Sequence, residues 1–406
     1  MLNTIDLFVG CGGLSEGFEQ SRKYKMIGAV EWEPSPVKEL RNHLKNRWGI
    51  QDSEERVLQF DIQRTEELFN GWKDKKFGES KGLDALVGNR QLDVIIGGPP
   101  CQAYSVAGRI RDEHGMREDY RNYLFESYLK VVQHYKPRVF VFENVPGILS
   151  AKPGDGSVRI IDLIQKAFAD AGYAVLPDLS NAIIDMTEYG VPQNRKRIII
   201  LGVSKEHYGD KAEAMVEKFY SSYLPEYKIE KKATVRDAIG DLPKLRPLDE
   251  PISYFGRKLS HSVSDPLING HISRFHNKRD IELFKFLEED IASGRMKYTS
   301  AKSLKTLYTK LTGKTSNVHK YYVLRWDEPS NLIPAHLFKD GPRHIHPDPE
   351  QARTITVREA ARLQTFPDDY YFNCSQTDAF KMIGNAVPPL FAKKVAYAIY
   401  HLIQEN

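Results

Sequence analysis

Along its first half the chain alternates short, β-branched apolar runs with stretches of helical periodicity. Thr4–Phe8, Met26–Val30, Asp93–Ile96, Val139–Phe142 and Arg197–Val203 each read as a strand, rich in Val, Ile and Phe and too short for a helix. Between them, Ile160, Leu163, Ile164, Ala167, Phe168 and Ala171 share one face of a helix expected over Ile160–Ala171. Strands alternating with helices predict an α/β fold with a doubly wound sheet, in which ligands bind beyond the carboxyl ends of the strands. The residues just after each strand are therefore expected to carry the chemistry. Past about Ser204 no single period persists, and Lys, His, Tyr and Pro become frequent, which predicts a second, smaller domain. Pro388-Pro389 then opens a helix with Phe391, Val395, Ile399 and Leu402 at helical spacing, expected to dock back on the first domain. The expected organisation is a first domain over 1–204, a second over 205–350, and a hinge with a returning helix over 351–406.

Composition narrows the class. With 406 residues, 41% hydrophobic and 28% charged, the chain suits a soluble protein with a sizeable core. Its three cysteines, Cys11, Cys101 and Cys374, support no disulfide framework and fit a reducing compartment. The start lacks a basic region followed by a long apolar stretch, so no signal peptide is expected, and runs such as Ile198–Leu201 are too short to span a bilayer. The net charge of +4 is uneven: Lys258–Lys320 holds 12 Lys/Arg against 6 Asp/Glu, and Arg295–Lys320 holds seven basic residues and no acid. Such a stretch fits a polyanionic partner, or equally a solvated helix face.

Two groups of residues lie where the fold expects chemistry. The loop Asp6–Leu14, with Gly10, Gly12 and Gly13, follows the first strand, and its glycines allow backbone to approach a ligand closely. Glu31 follows the second strand and can accept from both hydroxyls of a ribose, Trp32 can stack on adenine, and Asp61 can accept from an adenine amino group. Together these describe an adenosine site, without deciding between a nicotinamide, a flavin and a methyl donor. The second group begins where Asp93–Ile96 runs into Gly97-Gly98-Pro99-Pro100-Cys101. The two prolines make a rigid turn that fixes the cysteine, and amide dipoles at a helix or turn starting there would favour its thiolate. Glu143 follows the strand Val139–Phe142, where desolvation would raise its pKa and let it hold a proton at neutral pH. Arg195 and Arg197, two residues apart, fall on one face of the strand they open.

In this order the motifs resemble those of the DNA cytosine-5 methyltransferases. The likeness rests on Asp6–Leu14, Glu31-Trp32, Asp61, Pro99-Pro100-Cys101-Gln102, Glu143-Asn144-Val145, Gln193-Asn194-Arg195-Lys196-Arg197, Arg353–Glu359 and Gly384-Asn385-Ala386-Val387-Pro388. It covers nearly everything except the basic middle segment, and Tyr104 stands where the family commonly has Phe. The resemblance implies a mixed, Rossmann-like sheet of the S-adenosylmethionine-dependent methyltransferase type, with 1–204 as catalytic domain and 205–350 as target-recognition domain. It implies that Cys101 attacks ring carbon 6 of a flipped cytosine, with Glu143 and Arg197 holding the base and Arg195 supporting the active site. S-adenosylmethionine is then expected against Phe8, Gly10, Gly12, Gly13, Leu14, Glu31, Trp32, Asp61, Ile62, Pro100, Leu124, Asn385 and Val387.

The same resemblance implies that Ala107–Tyr123 is a loop closing over the flipped base. Ser105 and Arg121 would touch phosphates, and Lys302, Lys305 and Lys310 would position duplex DNA through its backbone. Bases would be read from about 235–335. His261, His271, His276, His344 and His346 match no common zinc spacing, so no metal is expected, and they are assigned to the surface or to DNA. The partners implied are double-stranded DNA and a restriction endonuclease of the same site, with the protein a monomer in a bacterial cytoplasm, used at the nucleoid. An RNA cytosine methyltransferase shares the catalytic set but carries a shorter insert. An adenine methyltransferase needs an Asn/Asp-Pro-Pro-aromatic motif where this chain has Pro-Pro-Cys. A Rossmann-type oxidoreductase leaves Cys101 and Glu143 without a task, and a DNA-binding protein without catalysis is hard to reconcile with Cys101, Glu143 and Arg197 all present.

Overall fold

The computed structural model describes residues 1–100, 124–152, 157–317 and 319–406. Cys101, Ser105, Arg121 and the Ala107–Tyr123 stretch lie outside the described residues. The ten strands of the first half are β1 (Leu2–Leu7), β2 (Tyr24–Glu31), β3 (Val57–Gln59), β4 (Trp72–Asp74), β5 (Gly78–Ser80), β6 (Val94–Gly97), β7 (Val139–Asn144), β8 (Tyr173–Ala174), β9 (Ile183–Asp185) and β10 (Lys196–Ser204). Eight of them form one sheet in the order β3-β2-β1-β6-β7-β10-β8, with β9 also on β10; β4 and β5 pair separately. From β3 to β7 the pairing is parallel, and β10 runs antiparallel to β7. The sheet is thus mixed, and all five strands expected from the apolar runs belong to it. Parallel strands covered on both faces read as unbroken apolar runs, and Val94, Ile95, Ile96 and Val139–Phe142 are all buried.

Two packed helices show how the sheet is held. The Pro34–Trp48 helix lays Val37, Leu40 and Leu44 on Met26 and Ala29 of β2 and Val57 of β3. The Leu124–Tyr135 helix inserts Tyr128 between β6 and β7, its hydroxyl donating to the Val141 carbonyl at 2.9 Å and its ring edge-on to Phe142. The returning helix, Pro389–Gln404, packs against the Gly13–Gln20 helix. A Cβ on Gly17 would lie 2.5 Å from the backbone of Lys393 and Pro389, so only glycine allows this approach. Tyr24 donates to the Ala396 carbonyl at 2.8 Å.

The chain divides into two compact units, 1–190 with 195–230 and 386–406, and 191–194 with 231–385. Residues 205–230 stay with the sheet because the Lys211–Lys218 helix buries Ala212, Met215 and Val216, and packs on β10.

In the second unit β11 (Pro247–Tyr254) and β12 (Arg257–His261) form an antiparallel hairpin. The helices Lys278–Ala292 and Ala301–Thr312 close a core of Phe284, Leu287, Leu304 and Leu307 on Val323 and Ile345. Arg353 and Glu359, both fully buried, pair through two hydrogen bonds of 2.7 and 2.6 Å. Thr356 and Glu359 form the capping box of the Val357–Leu363 helix, so one carboxylate serves ion pair and cap together.

The five histidines assigned to the surface or to DNA are buried instead. Their ring nitrogens bond the unit's own backbone: His261 to the Gln351 carbonyl at 2.8 Å, His271 to that of Pro243 at 2.8 Å, and His344 to that of Leu332 at 3.1 Å. His276 and His346 meet Thr354 and the Asp348 amide. Burial pushes the pKa of His261 down to about 4 and those of His276, His344 and His346 down to about 3, so these rings are neutral.

Candidate active site

Every described residue of the catalytic group in the first unit comes from the end of a strand. β6 ends at Gly97, and Gly98-Pro99-Pro100 leads directly to position 101. β7, its parallel neighbour, ends at Glu143 and Asn144. A Cβ on Gly98 would lie 2.6 Å from Oε2 of Glu143, so this glycine is what lets the carboxylate rest against the turn. Asn144 donates through Nδ2 to the Pro99 carbonyl at 3.2 Å and ties the turn to β7. The turn before the cysteine and the acid of the next strand therefore form one packed group.

β10 supplies the cations. Arg197 Nε lies 3.0 Å from Glu143 Oε1, with both side chains mostly buried, and its Nη1 donates to the Lys196 carbonyl. Arg195, almost wholly buried, donates through Nη2 to the Ala386 carbonyl at 2.8 Å. Desolvation raises the pKa of Glu143, while the charges of Arg197 and Arg195 and the Arg197 hydrogen bond oppose the rise. The net direction is up, towards a carboxyl that holds a proton more readily than one in water. Gln193 of the same motif is fully buried in the second unit, where its Nε2 donates to the Leu363 carbonyl at 3.0 Å and its Oε1 accepts from the Ile333 amide.

The loop after β1 forms the other half. Phe8, Gly10 and Gly12 all adopt left-handed backbone, at φ of 58°, 57° and 79°. For Phe8 that is a strained conformation of the kind that clusters at ligand sites. The Cβ position of Gly10 meets nothing within 4 Å, leaving an open cradle, whereas that of Gly13 would lie 2.2 Å from the Val387 carbonyl. Glu31 accepts from the amides of Gly10, Trp32 and Glu33 at 2.8–2.9 Å, which fixes both oxygens and leaves lone pairs for further donors. Trp32 is 46% exposed, with Lys76 Nζ 4.0 Å from its ring centre and Phe77 against its edge. Asp61 accepts from the Gln63 amide at 3.0 Å. Leu14, Ile62 and Leu124 are buried, Pro100 is partly exposed, and Asn385 is exposed at the end of a helix of the second unit. An open glycine cradle beside an anchored carboxylate and an exposed indole fits an adenosine-bearing group.

Sequence reasoning placed Gly98, Asn144, Ala386 and Asp6 within motifs but gave none of them a contact of its own. Asp6 is buried under Ser15, whose hydroxyl donates to it at 2.6 Å, and burial pushes its pKa up to about 7. In the second unit Lys302 and Lys310 are exposed and Lys305 half-buried on the Ala301–Thr312 helix. Among the described residues none of the three has an ion-pair partner.

Residues 2–401 match the model of a family described as C-5 cytosine-specific DNA methylase. The type II methyltransferase M.Bpa9945I of Bacillus paralicheniformis is 34% identical over an alignment of 460 positions, covering 98% of this chain and 98% of its own. The type II methyltransferase M.AgeI of Thalassovita gelatinovora is 31% identical, covering 98% and 99%. Among solved structures, the Dnmt2 methyltransferase of S. pombe has a TM-score of 0.57 at 14% identity, over 100% of this chain and 99% of that one, a likeness of fold.

Proposed function

This chain belongs to the C-5 cytosine-specific DNA methylases and is a DNA cytosine-5 methyltransferase, and from that premise we propose that Cys101 is its nucleophile, that Glu143 and Arg197 hold the target base and that Arg195 supports the site. The observation that carries the assignment is the Glu143 carboxylate resting on Gly98, three residues before the cysteine, with Arg197 at 3.0 Å. The Cys101 thiolate adds to carbon 6 of a cytosine swung out of the stack, forming a carbon–sulfur bond and driving electron density towards nitrogen 3 and carbon 5. Glu143, whose burial favours the protonated form, shares its proton with nitrogen 3. Arg197 holds the ring oxygen at position 2, and Arg195 braces the site through Ala386. Carbon 5, now enamine-like, is the position methylated; loss of its proton and expulsion of the thiolate restore the ring.

S-adenosylmethionine, bound at the β1 loop, would supply an electrophilic methyl group. Glu31 would accept from its ribose, Trp32 would stack on its adenine, and Gly10, Gly12 and Gly13 would admit it to the backbone. Ser105 and Arg121, with Lys302, Lys305 and Lys310, would grip phosphates of duplex DNA. The two relatives described above are type II methyltransferases. On that basis the protein is the modification half of a restriction–modification pair, working in a bacterial cytoplasm beside an endonuclease of the same specificity. Among the described residues no helix is long and apolar enough to cross a membrane.

The test is covalent capture. With a methyl donor, a duplex carrying 5-fluorocytosine at the target should leave the protein bonded to DNA at Cys101, seen by peptide mass spectrometry. Normal methylation by Cys101→Ala would remove the nucleophile assignment.

A further inference from the structure

The β11–β12 hairpin ends in a two-residue turn. Tyr254 pairs with Arg257, Ser253 with Lys258 and Ile252 with Leu259, leaving Phe255 and Gly256 at the tip. Both are left-handed, at φ of 45° and 73°. Turns of this kind favour Asn or Asp before the Gly, because a bulky side chain is strained at positive φ. Here the first position holds a phenylalanine that is 88% exposed. The ring stands edge-on to that of its neighbour Tyr254, with 4.6 Å between centroids, and takes no part in the strand pairing. Strain and exposed apolar area thus coincide on one side chain, a combination that points to contact with something outside the fold.

The surroundings identify the partner. From Pro251 to Ser264 the chain has two cations, Arg257 and Lys258, and no acid; the hairpin's acids, Asp249 and Glu250, stand at the other end of β11, Glu250 3.5 Å from Lys278. Arg257 adjoins the tip. Lys258 places its ammonium 4.9 Å from the ring of Phe275, itself partly exposed. A two-stranded ribbon has the width that the DNA major groove admits, and a phenylalanine can contact a thymine methyl there while flanking cations meet phosphates. We propose that the Tyr254–Arg257 tip enters a groove of the substrate duplex, with Phe255 against base edges and Arg257 and Lys258 on the backbone. This rests on the reading of the protein as a methyltransferase of duplex DNA, and names a contact that selects where it binds.

The substitution Phe255→Asn separates binding from folding, because Asn suits the turn better than Phe. A target duplex is first defined by bisulfite sequencing of plasmid methylated by the wild-type protein. On that duplex Phe255→Asn should raise KM about tenfold, the scale of one lost groove contact, with the loss falling on KM rather than kcat and with Tm unchanged or higher. Phe255→Tyr should restore most of the binding. Phe255→Trp should change its emission saturably as the duplex is added, over the range where the duplex binds. A KM within about twofold of wild type for Phe255→Asn, or emission from the introduced indole that ignores the duplex, overturns the proposal. So does emission that changes with protein concentration alone, since the tip would then meet a second copy. If wild-type protein methylates no duplex, the underlying reading fails instead, and titrating the Phe255→Trp variant with unmethylated plasmid still reports on the tip.

Discussion

Glu143 shows how much one missing atom can matter. Its Oε2 lies 2.6 Å from where a Cβ on Gly98 would be, so Gly98→Ala must move either the acid or the turn before Cys101. A displacement of about 1 Å near reacting atoms costs about a hundredfold in rate. Single-turnover methylation by Gly98→Ala should fall by about that factor, with Tm close to wild type; an unchanged rate would mean that the carboxylate position is not critical. Where a motif marks a residue, as at Glu143 and Arg197, its place at the end of a strand was legible in the sequence. It was not legible for the histidines. A histidine bonding a backbone carbonyl in a core has no signature in sequence that separates it from one on a surface, since the carbonyl belongs to whichever strand tertiary packing delivers. Asp6 was hidden for a similar reason: its partner Ser15 is near in sequence, but the burial that lifts its pKa comes from the assembled sheet.

Among elements, legibility followed length and patterning. β1, β2, β6, β7 and β10 are runs of buried β-branched and aromatic residues, and their boundaries were read within a few residues. β3, β8 and β9 have two or three residues each, too few to show a period, and exist because longer neighbours offer them an edge. The returning helix was legible from its apolar stripe, although its partner was not. That partner surface is testable at Gly17. Replacing a helical glycine by alanine ordinarily stabilises by about 1 kcal/mol. Here the new methyl would meet backbone atoms of Lys393 and Pro389 at 2.5 Å, and overpacking costs about 1–3 kcal/mol. The clash involves backbone, which yields least, so Gly17→Ala should lower Tm in calorimetry; a rise would mean that the two helices can separate freely.

At the scale of the whole molecule, the two units should respond differently to acid. His261, His276, His344 and His346 all belong to the second unit, with pKa values held at about 3 to 4 against an ordinary 6.5. Their folded-state pKa is depressed, so their contribution to stability is present above pH 6.5 and is lost as the pH falls towards 3. Each can contribute a slope of up to about 1.4 kcal/mol per pH unit over that window. Trp326, against His346 at 5.3 Å, is the single tryptophan of the second unit and reports on it alone. With Trp32, Trp48 and Trp72 replaced by Phe, urea midpoints followed by Trp326 fluorescence should be flat between pH 7 and 8 and fall steeply below pH 6, ahead of the loss of the sheet. Equal pH dependence in both units would contradict this. The basic stretch of the second unit was legible from composition, because charge density survives any folding; its hairpin tip was not, because exposure is a property of the finished surface.

The docking of Pro389–Gln404 on Gly13–Gln20 also bears on when the enzyme comes into being. A helix made early on the ribosome waits for one made late, with both units synthesised between them. A nascent polypeptide stalled or cut short anywhere before residue 389 therefore leaves bare the surface of its Gly13–Gln20 helix that Pro389–Gln404 covers.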